Sequence, residues 1–461
     1  MGHRRLALAV LAVVAVLVVL VGLVVASPAS ADVGQEPRSG PTDTDTSTDL
    51  GDPDFGPQVE IENIVVTGND VTNEKLIRRA LLLAPGDRLR SGDPRFRASR
   101  FRVLALGYFR DVQLKLDKGA RRGAIVLTVH VVERETLVLN RFDLGTSDET
   151  RVWFGVDVGA TNLFGSGIAV SAAAIYASAP RLPGGEPQLG VRLRVADQGL
   201  GGTPLGVHGT FVFDDASEAQ GDRALGYRRI GASGGVSYDL SARTYVSADV
   251  RFEGVHADGT PPDRIQPGDS RLVTAALGLD YDTRSDPILP ADGARLVAVV
   301  QAGGAAIGSD YDELKIHLRW EGWHEIARRH VLSLHLDFGL VAGGAPLYDR
   351  FYVGDLNPLL PDRKLDLVVS TRPTFDVLGR GADAVRYGDV EVQTAVEYDF
   401  QLFRGRKTIY GGDLFFGAGI FALGSRDDLR PDLWLNAGLR LDTALGVIEL
   451  SIANLAGRLP L

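Results

Sequence analysis

The feature that most constrains the fold is an alternation of apolar and polar residues that recurs through the C-terminal two-thirds of the chain. It is clearest in VLSLHLDFGL (Val331 to Leu340) and VEVQTAVEYDF (Val390 to Phe400). A period of two is typical of β-strands, because successive side chains point to opposite faces of a sheet. The polar positions are charged on strand after strand, and no helical pattern that would cover an apolar face follows residue 135. Because a barrel in lipid turns its apolar face outward around a polar lumen, the pattern predicts a transmembrane antiparallel β-barrel.

Fifteen segments after residue 135 have strand character, and their mean spacing of roughly twenty residues suits tilted spanning strands with short connections. They are 138–145, 152–161, 167–177, 189–196, 205–213, 229–238, 245–254, 271–282, 294–302, 312–324, 331–341, 389–400, 408–421, 432–441 and 447–454. The alternation predicts Leu314, Ile316, Leu318 and Trp320 on the lipid side, and Lys315, His317, Arg319 and Glu321 in the lumen. Eleven strands precede a connection of almost fifty residues, which is far longer than a hairpin needs and is expected to be functional or disordered.

Composition excludes several other classes of protein. The net charge of −10 argues against nucleic acid as a partner, and the absence of cysteine excludes disulfides and thiolate metal sites. The mean hydropathy is close to zero. That value is expected when lipid-facing residues alternate with lumen-facing ones, and a helical membrane protein would be more apolar.

Residues 1–57 precede the folded units. Basic residues His3 to Arg5, an apolar run from Leu6 to Val25 and the small residues Ala29-Ser30-Ala31 predict a signal peptide over residues 1–31, the alternative being an uncleaved membrane anchor. Residues 32–57 are acidic and rich in Pro, Gly, Ser and Thr, so a disordered linker is expected there.

Residues 58–134 predict a compact α+β unit with the order β-α-α-β-β. A strand ends at Gly68-Asn69, and helix-starting residues at 72–74 open a helical pattern that runs through Leu83 to a stop at Pro85-Gly86. A second helix follows Asp93-Pro94 and ends at Gly107, after which Tyr108-Phe109 lead into the last two strands. With Gly68, Asn69, Gly86, Gly107, Tyr108 and Phe109 at its motif positions, this unit resembles a POTRA domain, the periplasmic module of the BamA/TamA-type outer-membrane assembly superfamily.

The barrel, residues 135–461, resembles the same superfamily in three stretches. NLFGSG (162–167) is similar to an early turn, LDYDTRSDPILPADGARL (279–296) to the mid-barrel hairpin with its periplasmic turn, and RFYVGD (350–355), which includes Gly354, to the start of the sixth extracellular loop. The resemblance implies a barrel of about 16 strands in the outer membrane, with the POTRA domain in the periplasm. It also implies outer-membrane lipid, unfolded β-barrel client polypeptides and periplasmic accessory proteins as partners.

Two positions in the barrel depart from the family pattern. In the family an arginine near the loop tip folds into the lumen and meets an aspartate of an FxDxG pattern, whereas here Leu360 and Pro361 occupy the tip and Gly417 occupies the aspartate position. A lone charge in a confined lumen would be costly, so the joint loss is physically coherent. Arg363 and Asp413 are a candidate replacement pair. We expect instead a loop that no such ion pair locks and that a protease cuts near Arg363 or Lys364, the alternative being entry into the lumen by packing of Leu359, Leu360 or Pro361.

The chain ends with ANLAGRLPL, where the family places a sixteenth strand with a terminal aromatic residue. The barrel is therefore expected either to close with fifteen strands or to have lost or displaced a strand.

No catalytic residue, cofactor site or metal site is predicted. His317 and His335 are expected to line a wet lumen, and the carboxylates Glu391, Glu397 and Asp399 to pair with lumen arginines such as Arg319 and Arg440 rather than to act as acid and base. The arginines of the second POTRA helix, Arg95, Arg97, Arg100 and Arg102, are expected to be solvated, the alternative being a docking face for anionic partners.

The leading hypothesis from the sequence is a protein, not an enzyme, that assists insertion or translocation of β-barrel polypeptides. The POTRA module would offer a strand edge to incoming chains, and a weak first-to-last strand seam would expose unpaired backbone groups. The alternative is a channel or passive outer-membrane scaffold that has lost insertase activity. Secretion of a dedicated partner would be expected to bring two POTRA modules, and only one fits before Asn140.

Overall fold

The computed structural model describes residues 58–455 except 91, 135–136, 146–150, 198, 201–202, 221–222, 242, 260, 262–263, 286–289, 354–385, 405–408 and 444–445. The predicted signal peptide, the linker and the loop positions Gly354, Leu360, Pro361 and Arg363 lie outside these residues. Within the described part of the chain, no helix has both the length and the apolar character needed to cross a membrane.

The N-terminal unit is a four-stranded mixed sheet with two helices. Its strands are β1 (Val59–Thr67), β2 (Arg88–Leu89), β3 (Phe109–Lys118) and β4 (Ala124–Glu133), and its helices are α1 (Glu74–Ala80) and α2 (Pro94–Ala105). The strand order is β2-β1-β4-β3, with β1 parallel to β4. The predicted β-α-α-β-β order is confirmed. The short strand β2 between the two helices was not predicted, because two residues are too few to show an alternating pattern.

Local chemistry accounts for both helix starts and for one error of prediction. The side chains of Asn73 and Asp93 cap the helices by accepting hydrogen bonds from backbone N–H groups two residues later. The helical pattern through Leu83 predicted too long a helix, since α1 ends at Ala80. The backbone beyond it leaves the helix because the Leu82 N–H donates to Ser99 Oγ (2.9 Å) instead of to a helical carbonyl.

The C-terminal unit is one antiparallel sheet of fifteen strands. They are β5 (Leu137–Gly145), β6 (Trp153–Leu163), β7 (Ile168–Ala177), β8 (Gln188–Asp197), β9 (Leu205–Gln220), β10 (Arg223–Asp239), β11 (Thr244–Ala257), β12 (Gly268–Asp282), β13 (Gly293–Gly303), β14 (Glu313–Ala327), β15 (His330–Gly343), β18 (Val390–Arg404), β19 (Ile409–Ser425), β20 (Asp428–Thr443) and β21 (Gly446–Leu455). The fifteen predicted strands are confirmed, as are the eleven before the long loop. Two short strands of that loop, β16 (Phe351–Val353) and β17 (Arg386–Gly388), pair with each other.

Side chains alternate across this sheet as predicted. On β15, Leu334, Leu336 and Phe338 are about two-fifths exposed, whereas Ser333 is buried. Leu318 on β14 is likewise exposed and Lys315 is buried, but Leu314, predicted to face lipid, is only 5% exposed. Exposed apolar side chains therefore form the outer surface, and charged side chains fill the inside, which is the arrangement of a barrel in lipid.

The two terminal strands of the sheet do not form a ladder with each other. The strand order runs without a break from β21 to β5, and in the described residues these two strands approach but exchange no ladder hydrogen bonds. We call this boundary between β5 and β21 the seam. It leaves two sheet edges whose backbone N–H and C=O groups are available to another strand.

We expect the folded barrel to be heat-modifiable. Because a continuous ladder of backbone hydrogen bonds joins each strand to the next from β5 to β21, the native barrel should survive detergent at room temperature and migrate on a gel at a different apparent size from a boiled sample. Identical mobility of boiled and unboiled samples, together with release from membranes by carbonate, would contradict a lipid-embedded barrel.

Candidate functional site

The lumen is lined by ion pairs between strands that are adjacent or separated by one strand. Each arginine is buried or partly buried against a carboxylate of another strand, which offsets the cost of taking both charges out of water. The pairs are Arg192 with Asp157, Arg229 with Asp214 (2.9 Å), Arg295 with Asp280 (2.8 Å), Arg319 with Asp337 (2.8 Å) and Arg440 with Glu397 (2.6 Å). The prediction that Glu397 and Asp399 serve as partners of Arg440 is confirmed, since Arg440 Nη1 also donates to Asp399 (2.9 Å).

The lumen histidines also contact carboxylates. His317 Nε2 lies 2.7 Å from Asp337 Oδ1, and His335 Nδ1 lies 3.4 Å from Glu321 Oε1. In the described ranges no three histidine or acidic side chains come together in a way that could hold a metal ion. These contacts are those of a polar lumen wall.

The start of the long loop enters the lumen through contacts of Asp349 that the sequence did not predict. A 3-10 turn over Leu347–Asp349 brings the Asp349 carboxylate, 5% exposed, against residues of three wall strands. Arg251 Nη1 on β11 donates to it (3.0 Å), as does Gln301 Nε2 on β13 (2.7 Å). Lys315 Nζ on β14 donates to the Asp349 carbonyl oxygen (3.1 Å). We call residues 345–353 the plug segment.

Aromatic side chains of the plug segment pack against the wall beside Asp349. The Tyr348 ring stacks on Tyr227 (5.6 Å between centroids) and lies 5.0 Å from the guanidinium carbon of Arg229. Phe351 packs under Lys315 Nζ (4.9 Å). A Cβ at Gly339 would lie 2.3 Å from the Phe351 ring, so only glycine at that position of β15 leaves room for it.

Asp389 holds the C-terminal end of the loop, directly before β18, by ion pairs with two arginines. Its carboxylate accepts a two-point contact from Arg264 (2.9 and 3.0 Å), in the β11–β12 connection, and a bond from Arg350 (2.9 Å), in the plug segment. Planar two-point contacts of this kind fix orientation as well as distance. Both ends of the loop are thus held to the barrel.

The family lock position on β19 is occupied differently here. Gly417 and Asp413 both face the lumen, as predicted, and Gly417 stands opposite Glu397 of β18. The guanidinium of Arg440, fully buried, lies 3.7 Å from the Phe415 ring centroid. A wall arginine therefore occupies this part of the lumen among the described residues. Because Arg363 lies outside the described residues, its pairing with Asp413 stays a hypothesis.

The residues at the POTRA motif positions have structural roles, and only some of these roles could be predicted from the sequence. Gly68, Gly86 and Gly107 adopt positive φ (83°, 93° and 77°), which only glycine adopts readily. The Asn69 side chain donates to the Thr72 carbonyl oxygen (3.1 Å), and Phe109 is buried in the domain core.

Tyr108 connects the POTRA domain to the barrel. Its hydroxyl donates to the Gly167 carbonyl oxygen (3.2 Å) in the β6–β7 turn, and burial raises the pKa of Tyr108 to about 12. The neutral phenol is the donor, so this contribution to stability is present below the ordinary tyrosine pKa and is lost as the pH rises through about 12.

The Tyr108→Phe substitution tests that contact. We expect it to lower the free energy of unfolding of the POTRA domain by about 0.5–1.5 kcal/mol, because it removes one hydrogen bond and leaves the ring in place. Denaturant titration followed by limited proteolysis of the domain would measure the change. Stability equal to that of the parent would show that the hydroxyl contributes nothing to docking.

Further contacts place the POTRA domain beneath the periplasmic turns of the barrel. The Asn162 side chain donates to Thr72 Oγ1 (3.0 Å), and Arg79 donates to the Gly199 carbonyl oxygen (2.8 Å). Arg102 on α2 pairs with Asp239 at the end of β10 (3.4 Å). The prediction of a solvated arginine face is wrong for Arg102, because the barrel turn supplies a carboxylate that no local pattern could indicate.

The remaining contact lies at the seam. Arg134, three residues before β5, pairs with Asp442 on β20 (2.9 Å), and both side chains are buried. The ring of Tyr410, at the start of β19, lies 5.3 Å from the Arg134 guanidinium carbon and 5.6 Å from that of Arg110. These residues join the POTRA domain, and the chain that enters β5, to β19 and β20 beside the opposite edge of the sheet.

Comparison with known proteins gives two family matches. Residues 162–457 match the model described as the Omp85 superfamily domain, and residues 59–134 match the POTRA model, described as the surface antigen variable number repeat. Two curated relatives are named outer membrane protein assembly factor BamA. The one from Nitratidesulfovibrio vulgaris is 24% identical over 319 residues, and the one from Neorickettsia risticii is 24% identical over 406 residues.

The chain is shorter than these relatives. The matches cover 66% and 86% of the chain but only 37% and 52% of the respective relatives. Among solved structures, CdiB from Escherichia coli is similar with a TM-score of 0.57 at 12% identity, over 86% of this chain and 72% of that one. CdiB from Acinetobacter baumannii is similar with a TM-score of 0.50 at 12% identity, over 86% and 74%. At this level of identity the structures establish a shared fold.

Proposed function

Because the chain belongs to the Omp85 superfamily, we propose that it is an outer-membrane protein that assists insertion or translocation of β-barrel polypeptides, with its POTRA domain in the periplasm. The relatives named BamA are outer-membrane assembly factors rather than typical enzymes, which supports this class of function. The proposed partners are outer-membrane lipid, unfolded β-barrel clients and periplasmic accessory proteins.

The observation that carries the proposal is the seam above the POTRA domain. Two sheet edges without a ladder between them expose backbone donors and acceptors on which an incoming strand can pair. In lipid an unpaired backbone group costs several kcal/mol, so a client strand that satisfies these groups is stabilised as it inserts. No fuel is needed for such templating.

Reconstitution tests the proposal. The purified protein in liposomes should accelerate folding of a urea-denatured β-barrel client, measured as the appearance of the client's heat-modifiable band, relative to empty liposomes. A protein lacking residues 58–134 should lose the acceleration if the POTRA domain delivers the client. Deletion of the plug segment is a comparison that leaves the seam and the POTRA domain in place.

An ion-conductance measurement on the same liposomes distinguishes the proposed function from the alternative of a channel or scaffold. Ion conductance without any acceleration of client folding would contradict the proposed function and support a channel or scaffold. The plug segment, which occupies the lumen through Asp349, Tyr348 and Phe351, argues against an open pore in this conformation.

A further inference from the structure

The seam is bridged at its periplasmic end, although its strands are not paired. Arg134 belongs to the chain that enters β5, while Asp442 stands opposite Val447 of β21 in the β20–β21 ladder. The pair therefore joins one edge of the sheet to the strand next to the other edge. We call Arg134, Asp442 and Tyr410 the clasp.

Burial makes this ion pair more costly to break than an ordinary surface pair, because a partner left alone would be an uncompensated buried charge. The Arg134 and Asp442 side chains are only 3% and 10% exposed, and they are 2.9 Å apart. Two charges at this distance attract each other more strongly as the surrounding dielectric falls, whereas exposed pairs contribute little. The Tyr410 ring adds a cation–π contact to the same guanidinium.

The clasp also belongs to the POTRA domain. The Arg134 N–H donates to the Tyr108 carbonyl oxygen (3.0 Å), and Tyr108 itself donates to the β6–β7 turn. Arg110 on β3, the edge strand of the POTRA sheet, shares the Tyr410 ring. A displacement of the POTRA domain relative to the barrel would therefore pull Arg134 away from Asp442 and Tyr410.

We propose that the clasp holds β5 and β21 near each other at the periplasmic end of the seam and releases them when the POTRA domain moves. Arg134 and Asp442 are then positioning residues, which act on the client only through the two sheet edges. This inference rests on the proposed function for its role in insertion. Its physical part, that the clasp restrains the seam, holds for the barrel alone.

The chain provides a matched control. Arg102 and Asp239 form another ion pair between the POTRA domain and the barrel, but this pair lies at the end of β10, away from the seam. If ion pairs to the POTRA domain act only by docking it, Arg102→Gln and Arg134→Gln should affect the seam alike. If the clasp acts on the seam, only Arg134→Gln should do so.

Hydrogen exchange of the full chain in liposomes tests the clasp without any client. We expect Arg134→Gln and Asp442→Asn to raise the exchange rate of amides in β5 and β21 by about tenfold, because a charge-assisted contact that closes these edges is lost. Exchange in the interior strand β13 should not change, and the parent heat-modifiable band should persist. Combining Arg134→Asp with Asp442→Arg should restore protection that either single reversal removes.

Three results would overturn the proposal: unchanged exchange in β5 and β21 in both variants, an equal effect of Arg102→Gln, or no rescue by the double reversal. The rate of client insertion is measured independently of hydrogen exchange. Faster insertion by Arg134→Gln than by the parent would support the role of the clasp in opening. If neither protein accelerates insertion while the exchange results hold, the proposed function fails and the clasp remains a structural restraint.

Discussion

Replacing Asp349 by alanine is expected to lower the free energy of unfolding by about 3–5 kcal/mol, because the buried carboxylate is a partner of Arg251 and lies 3.8 Å from Lys315. A buried cation that loses its counter-ion keeps its desolvation cost without the attraction that offset it. Denaturant titration in liposomes, followed by tryptophan fluorescence, would measure the loss. The variant should also release the plug segment, so a protease added outside should cut near Arg350 faster than in the parent.

Two further variants show whether the effect comes from the charge. Asp349→Ala combined with Arg251→Met should recover part of the stability, since the cation is removed together with its partner. Asp269→Ala changes an exposed rim carboxylate, paired with His256 and 91% exposed, and should alter stability by less than about 0.5 kcal/mol. A loss at Asp349 no larger than at Asp269 would show that the plug contact does not stabilise the barrel.

The second large effect is expected from a charge placed on the lipid-facing surface of the barrel. Leu334→Arg should prevent stable insertion at a cost of roughly 2–4 kcal/mol, because this side chain points away from the lumen and a cation there would meet hydrocarbon. Membrane fractionation and heat modifiability would measure insertion.

The neighbouring residue supplies the control. His335→Arg places the same cation inside the barrel, beside Glu321, and should cost less than about 1 kcal/mol, since the site is polar and holds a carboxylate. Equal effects of the two substitutions would mean that the facing of β15 is reversed. In the structure, Ser333 and His335 lie on the inner side of β15, where their side chains form a hydrogen bond with each other.

The plug contact has consequences for the family lock. In the pattern that the sequence resembles, the loop supplies the cation and the wall supplies the anion. In this chain the loop supplies the anion, Asp349, and the wall supplies Arg251 and Lys315. The expectation of an unlocked loop therefore applies to the loop tip alone, because the base of the loop is held from both ends by Asp349 and Asp389.

Alternation alone determined most of the barrel. The alternation of apolar and charged residues shows which side of each strand faces lipid, because successive side chains of a strand point to opposite faces. A register slip of one residue would place the charged side chains in hydrocarbon. For that reason the fifteen strands and the inward facing of Lys315 and Asp413 could be predicted from local sequence. The β-α-α-β-β order of the N-terminal unit was predicted from caps, from helical spacing and from glycines at turns, and its resemblance to a POTRA domain came from its motif positions.

Only the tertiary structure decided the contacts that join distant parts of the chain. Asp349 meets Arg251 across 98 positions of sequence, and Arg134 meets Asp442 across 308. No period or motif relates such residues, because their proximity depends on the curvature of the whole sheet and on where the POTRA domain docks. The end of α1 at Ala80 was missed for a similar reason, since the Leu82 N–H finds its acceptor on α2. Local sequence thus determined which face each side chain occupies, and the curvature of the sheet and the docking of the POTRA domain determined which charges meet.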